Sequence, residues 1–134
     1  MLNKKAQIAT EYLIMVGLLL VVVGALAGYS ILMYYETVSI NQAKDALEDL
    51  KIAVNRMYAL GEGNSIVVKI VLPKGVTETR VIGKGIYMTY TSFGSTSEQL
   101  VETDANVQGS IPTAEGVHYI EVRALDSNVS LSET

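Results

Sequence analysis

The sequence predicts an α+β protein: a long N-terminal α-helix, apolar in its first half and amphipathic in its second, packed on a small C-terminal antiparallel β domain. Three observations predict it. Between Glu11 and Glu36 no residue is charged, from Ser39 to Leu60 apolar residues recur three and four apart, and beyond Gly61 the apolar period drops to two. The 134 residues hold one domain, or one small domain with a long appendage, but not two domains. Hydrophobic residues make up 49% and charged residues 18%, too apolar for a disordered chain, and a mean hydropathy of +0.31 requires that some apolar mass be concentrated.

That concentration is the run from Tyr12 to Tyr35, about 24 residues. A helix needs roughly 20 to cross the hydrocarbon core of a bilayer, whereas the apolar part of a cleaved secretory signal is only about 7–15. Residues 12–35 are therefore expected to span a membrane. Lys4 and Lys5 precede the run and the next basic residue is Lys44, so the positive-inside rule places residues 1–5 in the cytoplasm and the bulk of the chain outside.

Ile40, Ala43, Leu47, Leu50, Val54 and Met57 then form a narrow stripe on one helix face. No proline falls between Tyr12 and Leu60, and Ser39 is at most a weak cap, so one helix is expected over 7–60, on the order of 80 Å long. Its second half should lean on the β domain, with Ile66, Val68, Ile70 and Tyr119 or its neighbours opposite the stripe.

The Gly61–Ser65 segment stops the helix and opens the β domain over 61–134. Ile66, Val68, Ile70 and Leu72 alternate with Val67, Lys69 and Val71. After the Pro73-Lys74-Gly75 turn, a strand at Thr79–Ile82 and another at Ile86–Thr91 flank Gly83-Lys84-Gly85, a hairpin pattern in which Ile86, Met88 and Tyr90 share a face. Phe93–Ser97 is expected to be a loop, Leu100–Thr103 and Val107–Ile111 weak strands, and Val117–Leu125 a strong one, for roughly four to six strands in all. So few residues make a thin core that needs the helix stripe for stability.

The inventory for chemistry is poor. With no cysteine, disulfides, thiolate metal sites and cysteine nucleophiles are excluded. His118, the only histidine, sits in a strand pattern and is read as structural or merely exposed; no serine lies in a G-x-S-x-G context. Glu98, Glu102 and Asp104 match no calcium-loop spacing and read as a solvated acidic loop. Gly83-Lys84-Gly85 lacks phosphate-loop spacing. A net charge of −4 and a pI near 4.9 speak against a nucleic-acid partner. No catalytic residue, cofactor or metal is expected.

Glu11 is the residue out of place. A carboxylate at the threshold of an apolar span is costly unless paired. Its context is Lys4-Lys5-Ala6-Gln7-Ile8-Ala9-Thr10-Glu11-Tyr12-Leu13, and here the chain resembles archaeal type IV pilin precursors with a class III signal peptide. That family carries a short basic leader, a small residue before the cut, and then the pattern Q-x-S-x-E-x-x-x-L. Lys4 and Lys5 match the leader, Ala6 the residue before the cut, Gln7 the first mature residue and Glu11 the glutamate. Ala9 and Met15 depart, standing where the pattern has Ser and Leu.

The resemblance implies that a membrane-embedded prepilin peptidase removes residues 1–6 by cutting between Ala6 and Gln7, leaving the apolar helix in place. Loss of Lys4 and Lys5 takes the side-chain balance from −4 to −6. The new ammonium at Gln7 lies about one helical turn from Glu11 and supplies its missing cation. It further implies a pilus assembly ATPase and membrane platform as partners, and a homopolymeric extracellular filament for adhesion or cell contact, with the helices inside and the β heads outside. Gly17, Gly24 and Gly28 share a helix face, Gly24 and Gly28 as G-x-x-x-G, and read as close-packing positions for assembly or as ordinary glycines of a membrane span. Asn128-Val129-Ser130 is an N-glycosylation sequon. Two alternatives stay open: a minor pilin or pseudopilin of a secretion or assembly machine, and a single-pass membrane protein whose outer domain binds a ligand.

Overall fold

The computed structural model describes residues 2–134. Met1, the first residue of the expected leader, lies outside the described residues. The fold is α+β, and the chain divides into two compact units, one ending at Tyr35 and one of Glu36–Thr134. Helix α1 (Leu2–Leu60) is continuous across the division.

In the first unit every residue from Asn3 to Tyr35 except Val16 is exposed. Leu18, Leu19, Leu20 and Val21 are 68%, 62%, 64% and 72% exposed. Successive residues point about 100° apart around a helix, so no face of this stretch is covered.

The second unit holds the rest of α1 and seven strands: β1 (Ser65–Leu72), β2 (Val76–Ile82), β3 (Gly85–Ser92), β4 (Ser95–Glu102), β5 (Asn106–Gly109), β6 (Gly116–Ala124) and β7 (Asn128–Glu133). Gly61 ends the helix in the left-handed region at φ +88, its N–H bonding back to the Met57 and Tyr58 carbonyls. The Asn64 side-chain amide donates to the Leu60 and Gly61 carbonyls at 3.0 Å, satisfying acceptors that the helix end leaves open. Gly63 N–H bonds to Ala124 O and Ala124 N–H to Asn64 O, fastening this turn to the end of β6.

The strands make two sheets, one of order β1-β6-β7-β5 and one of order β2-β3-β4. All pairings are antiparallel except β5 with β7, which is parallel. The sheets are tied near β5: Val107 N–H donates to Gly83 O at 2.7 Å, and Thr79 Oγ1 donates to Ile111 O at 2.6 Å. A Cβ at Gly109 would collide with the Leu131 carbonyl, so only glycine allows β5 to come this close to β7.

Ala43, Leu47, Leu50, Val54 and Met57 are buried, with Ile40 half-buried. Ala46 and Ala53 widen the stripe, their methyl groups letting the sheets approach the helix. The stripe belongs to one core with Ile70 and Leu72 of β1, Ile86, Met88 and Tyr90 of β3, and Ile120, Val122 and Ala124 of β6. Of Tyr119 and its neighbours, Tyr119 itself is 50% exposed and pairs with Lys69 on the outer face. Because side chains alternate, its neighbours Ile120 and Val122, opposite Val68 and Ile66, point inward instead.

Two expectations are corrected, and one strand is added. Seven strands form, not four to six. Phe93–Ser97 is no loop, because Phe93-Gly94 is a two-residue hairpin turn with Ser92 paired to Ser95, and β4 starts at once. The last strand, β7, went unforeseen; it fits between β6 and β5 and contributes Val129 and Leu131 to the core.

Candidate functional site

Ala6, Gln7 and Glu11 lie in the opening turns of α1. The Gln7 side-chain amide donates to Glu11 Oε1 at 3.2 Å, and Thr10 Oγ1 donates to the Ala6 carbonyl at 2.9 Å. The i,i+4 spacing places Gln7 and Glu11 on one face, so the carboxylate is met by a neutral donor. The Ala6–Gln7 peptide bond lies within the helix. A Cβ built at Gly17, Gly24 or Gly28 meets nothing within 4 Å, so the shared face of these glycines is open for a neighbouring backbone.

At the other end of the apolar run, the structure assembles a group of residues that no sequence spacing would join. Glu36, the first charged residue after Tyr35, accepts a hydrogen bond from Ser92 Oγ at 2.7 Å. Ser92 is the last residue of β3, and Phe93 follows it at φ +51 with Gly94 at φ +73. Two central residues at positive φ are what a type I′ hairpin turn requires, and Asn, Asp or Gly usually fills them. Phe93 is instead an aromatic, 56% exposed. Thr91 N–H bonds to Gly75 O at 2.9 Å, bringing the Pro73-Lys74-Gly75 turn to the same strand end.

The remaining candidates are scattered over the head. Glu98 accepts from Arg80 Nη2 at 2.6 Å, whereas Asp104 donates its backbone N–H to Asn55 Oδ1 at 2.9 Å, so these acidic residues serve separate contacts. Among the described residues no three of His, Asp and Glu are gathered so as to hold a metal ion. His118 Nδ1 is 2.6 Å from Glu133 Oε1 and its Nε2 is 2.7 Å from the Ala114 carbonyl. With an acceptor at each nitrogen the imidazolium fits best, and the Glu133 hydrogen bond raises the His118 pKa above its ordinary value. This pair joins β6 to β7. Asn128 opens β7 and is half-buried, its backbone carbonyl accepting from Leu125 N–H at 2.7 Å. The sequon thus lies in a strand, with Val129 buried between Asn128 and Ser130.

Comparison with protein-family models, with curated proteins and with solved structures finds no match.

Proposed function

We propose that the chain is a structural subunit, a pilin precursor that is cut between Ala6 and Gln7 and polymerises through the first half of α1 into an extracellular filament. One observation carries the reading. A single helix is bare and apolar on every side from Tyr12 to Tyr35, yet its continuation is built into the core of its own β head. An apolar surface of that extent needs an outside partner. Lipid serves in the precursor, and copies of the same helix serve once it leaves the bilayer. Contacts related by a rotation that does not close give an open filament, with the heads outside.

Gln7 and Glu11 then have distinct parts. Cleavage replaces the Ala6–Gln7 peptide with an ammonium on the same helical face as the Glu11 carboxylate, within the subunit or offered to a neighbour. A carboxylate left unpaired in a dry helical core is strongly unfavourable. We therefore expect Glu11→Ala to be cut and to reach the membrane but to yield few fibres, and Ala6→Leu to block cutting. Mass spectrometry of the mature N-terminus and electron microscopy of sheared surface fibres check both. Wild-type fibre yield from Glu11→Ala would sink the charge-pairing mechanism. An intact N-terminus on a protein that never forms fibres would favour the single-pass anchored receptor.

A further inference from the structure

We infer that the Phe93-Gly94 turn, together with Lys74, is a lipid-contact surface that rests on the outer headgroup layer while the chain is anchored in the membrane. The inference rests on the membrane-anchored precursor proposed above. Its first support is location. Glu36 follows Tyr35 directly, so it marks the outer edge of the apolar run, and Ser92 bonds to it at 2.7 Å. Phe93 is one residue further, and adjacent Cα atoms are only about 3.8 Å apart. Covalent connection therefore holds this turn near the point where the chain leaves the bilayer.

Chemistry is the second support. An exposed aromatic and an exposed lysine on turns at one strand end are the combination that interfacial segments use: the ring sits among the upper acyl chains and the ammonium meets anionic headgroups. Lys74 reaches the same strand end through the Thr91–Gly75 hydrogen bond. A Cβ at Gly75 would lie 2.9 Å from the Thr91 carbonyl, so the close approach of the two turns depends on that glycine.

The third support is the backbone. A bulky side chain at φ +51 is a rare conformation, and asparagine at position 93 would suit the turn better. The Phe93 ring lies outside the buried core, so the head itself gains little from it. Strain kept at an exposed aromatic points to a use outside the fold. A lipid surface fits better than a second copy of the chain, because connectivity brings the bilayer to this turn in every anchored molecule.

The chain has no tryptophan, so single replacements give unambiguous reporters. Full-length Tyr29→Trp, Phe93→Trp and Ile82→Trp proteins, each placed in phosphatidylcholine–phosphatidylglycerol vesicles, are compared with lipid-borne quenchers at shallow and deep positions. Position 29 lies in the apolar run; position 82 is exposed beside the β2–β3 turn, which is tied to β5. We expect the tryptophan at 29 to be quenched. The one at 93 should lose most of its emission to the shallow quencher and much less to the deep one, and the one at 82 should stay unquenched with water-like emission. Lys74→Glu should reduce the quenching at 93. Quenching at 29 with a position-93 response like that at 82 would overturn this inference and leave the anchored precursor standing. No quenching at 29 would remove both. A blue shift at 93 that ignores the lipid quenchers and fades as protein is diluted among vesicles would assign the turn to a second copy and overturn the inference. Separately, Phe93→Asn should raise the unfolding temperature of the head; a fall would mean that the head's own packing holds the ring, and would also overturn it.

Discussion

The two halves of α1 are equally helical and differ in who covers them. From Asn3 to Tyr35 every residue except Val16 is exposed, and the leucines and valines of this stretch are mostly more than half exposed. From Glu36 to Leu60 the apolar residues narrow to one stripe, and Ala43, Leu47, Leu50 and Val54 are at most 1% exposed beneath the head's own sheets. Helix propensity does not separate the halves. What separates them is the angular spread of apolar side chains: a full circle demands surroundings that are apolar all round, while a stripe demands one folded face.

That contrast is sharpened most by paired truncations of leucine. Leu50→Ala empties a fully buried position and should cost about 2–5 kcal/mol, read as a lower urea midpoint in a fragment of residues 36–134. In the full chain Leu19→Ala should leave unfolding of the head unchanged, since alanine keeps the helix and no tertiary contact is lost. Equal losses from both replacements would erase the distinction between the halves.

A smaller effect is expected at the junction. Ser92→Ala removes the hydroxyl that donates to half-buried Glu36, and an orphaned acceptor of this kind costs about 1–3 kcal/mol. Ser92→Thr, which retains the hydroxyl, should recover most of it. An unchanged midpoint for the alanine variant would show that water replaces the bond without cost.

The smallest effect lies in the pH dependence of the head. Because folding raises the His118 pKa, the stability gained from its bond to Glu133 is fully present below the unfolded value of about 6.5 and is lost as pH rises through the folded value. The stability advantage of wild type over His118→Gln should therefore shrink as the solution is made alkaline. Melting curves at a series of pH values test this, and an advantage that grows with pH would mean that the neutral ring is the one bound.

The parts of this fold that were legible were those where one residue type repeats. The six-residue stripe from Ile40 to Met57, the alternation in β1 and the Ile86-Met88-Tyr90 face all stand in the structure as read, because each repeat matches the period of a single element. β4 gave no such signal. Its side chains are exposed except at Gln99 and Val101, which are half-buried, and the backbone ladder to β3 holds it in place. β7 offers only Val129 and Leu131 to the core, and its place depends on β5 and β6. At the candidate site, Ala6, Gln7 and Glu11 stood out as a local motif, but the Glu36–Ser92 bond joins residues 56 apart, and no spacing rule reaches that far. Phe93-Gly94 reads in the sequence as part of a loop because Phe-Gly is not the dipeptide that ordinarily announces a tight hairpin.

The position of β7 has a consequence for the order of events in making the protein. The strand lies inside its sheet, between β6 and β5, and β5 has no other ladder partner. While the chain is emerging, residues 106–109 must wait for residues 128–131, and the first sheet cannot be completed until synthesis has passed Leu131. Cutting the chain short at Ser127 would therefore leave an open sheet with a bare edge, prone to pairing with the wrong chain.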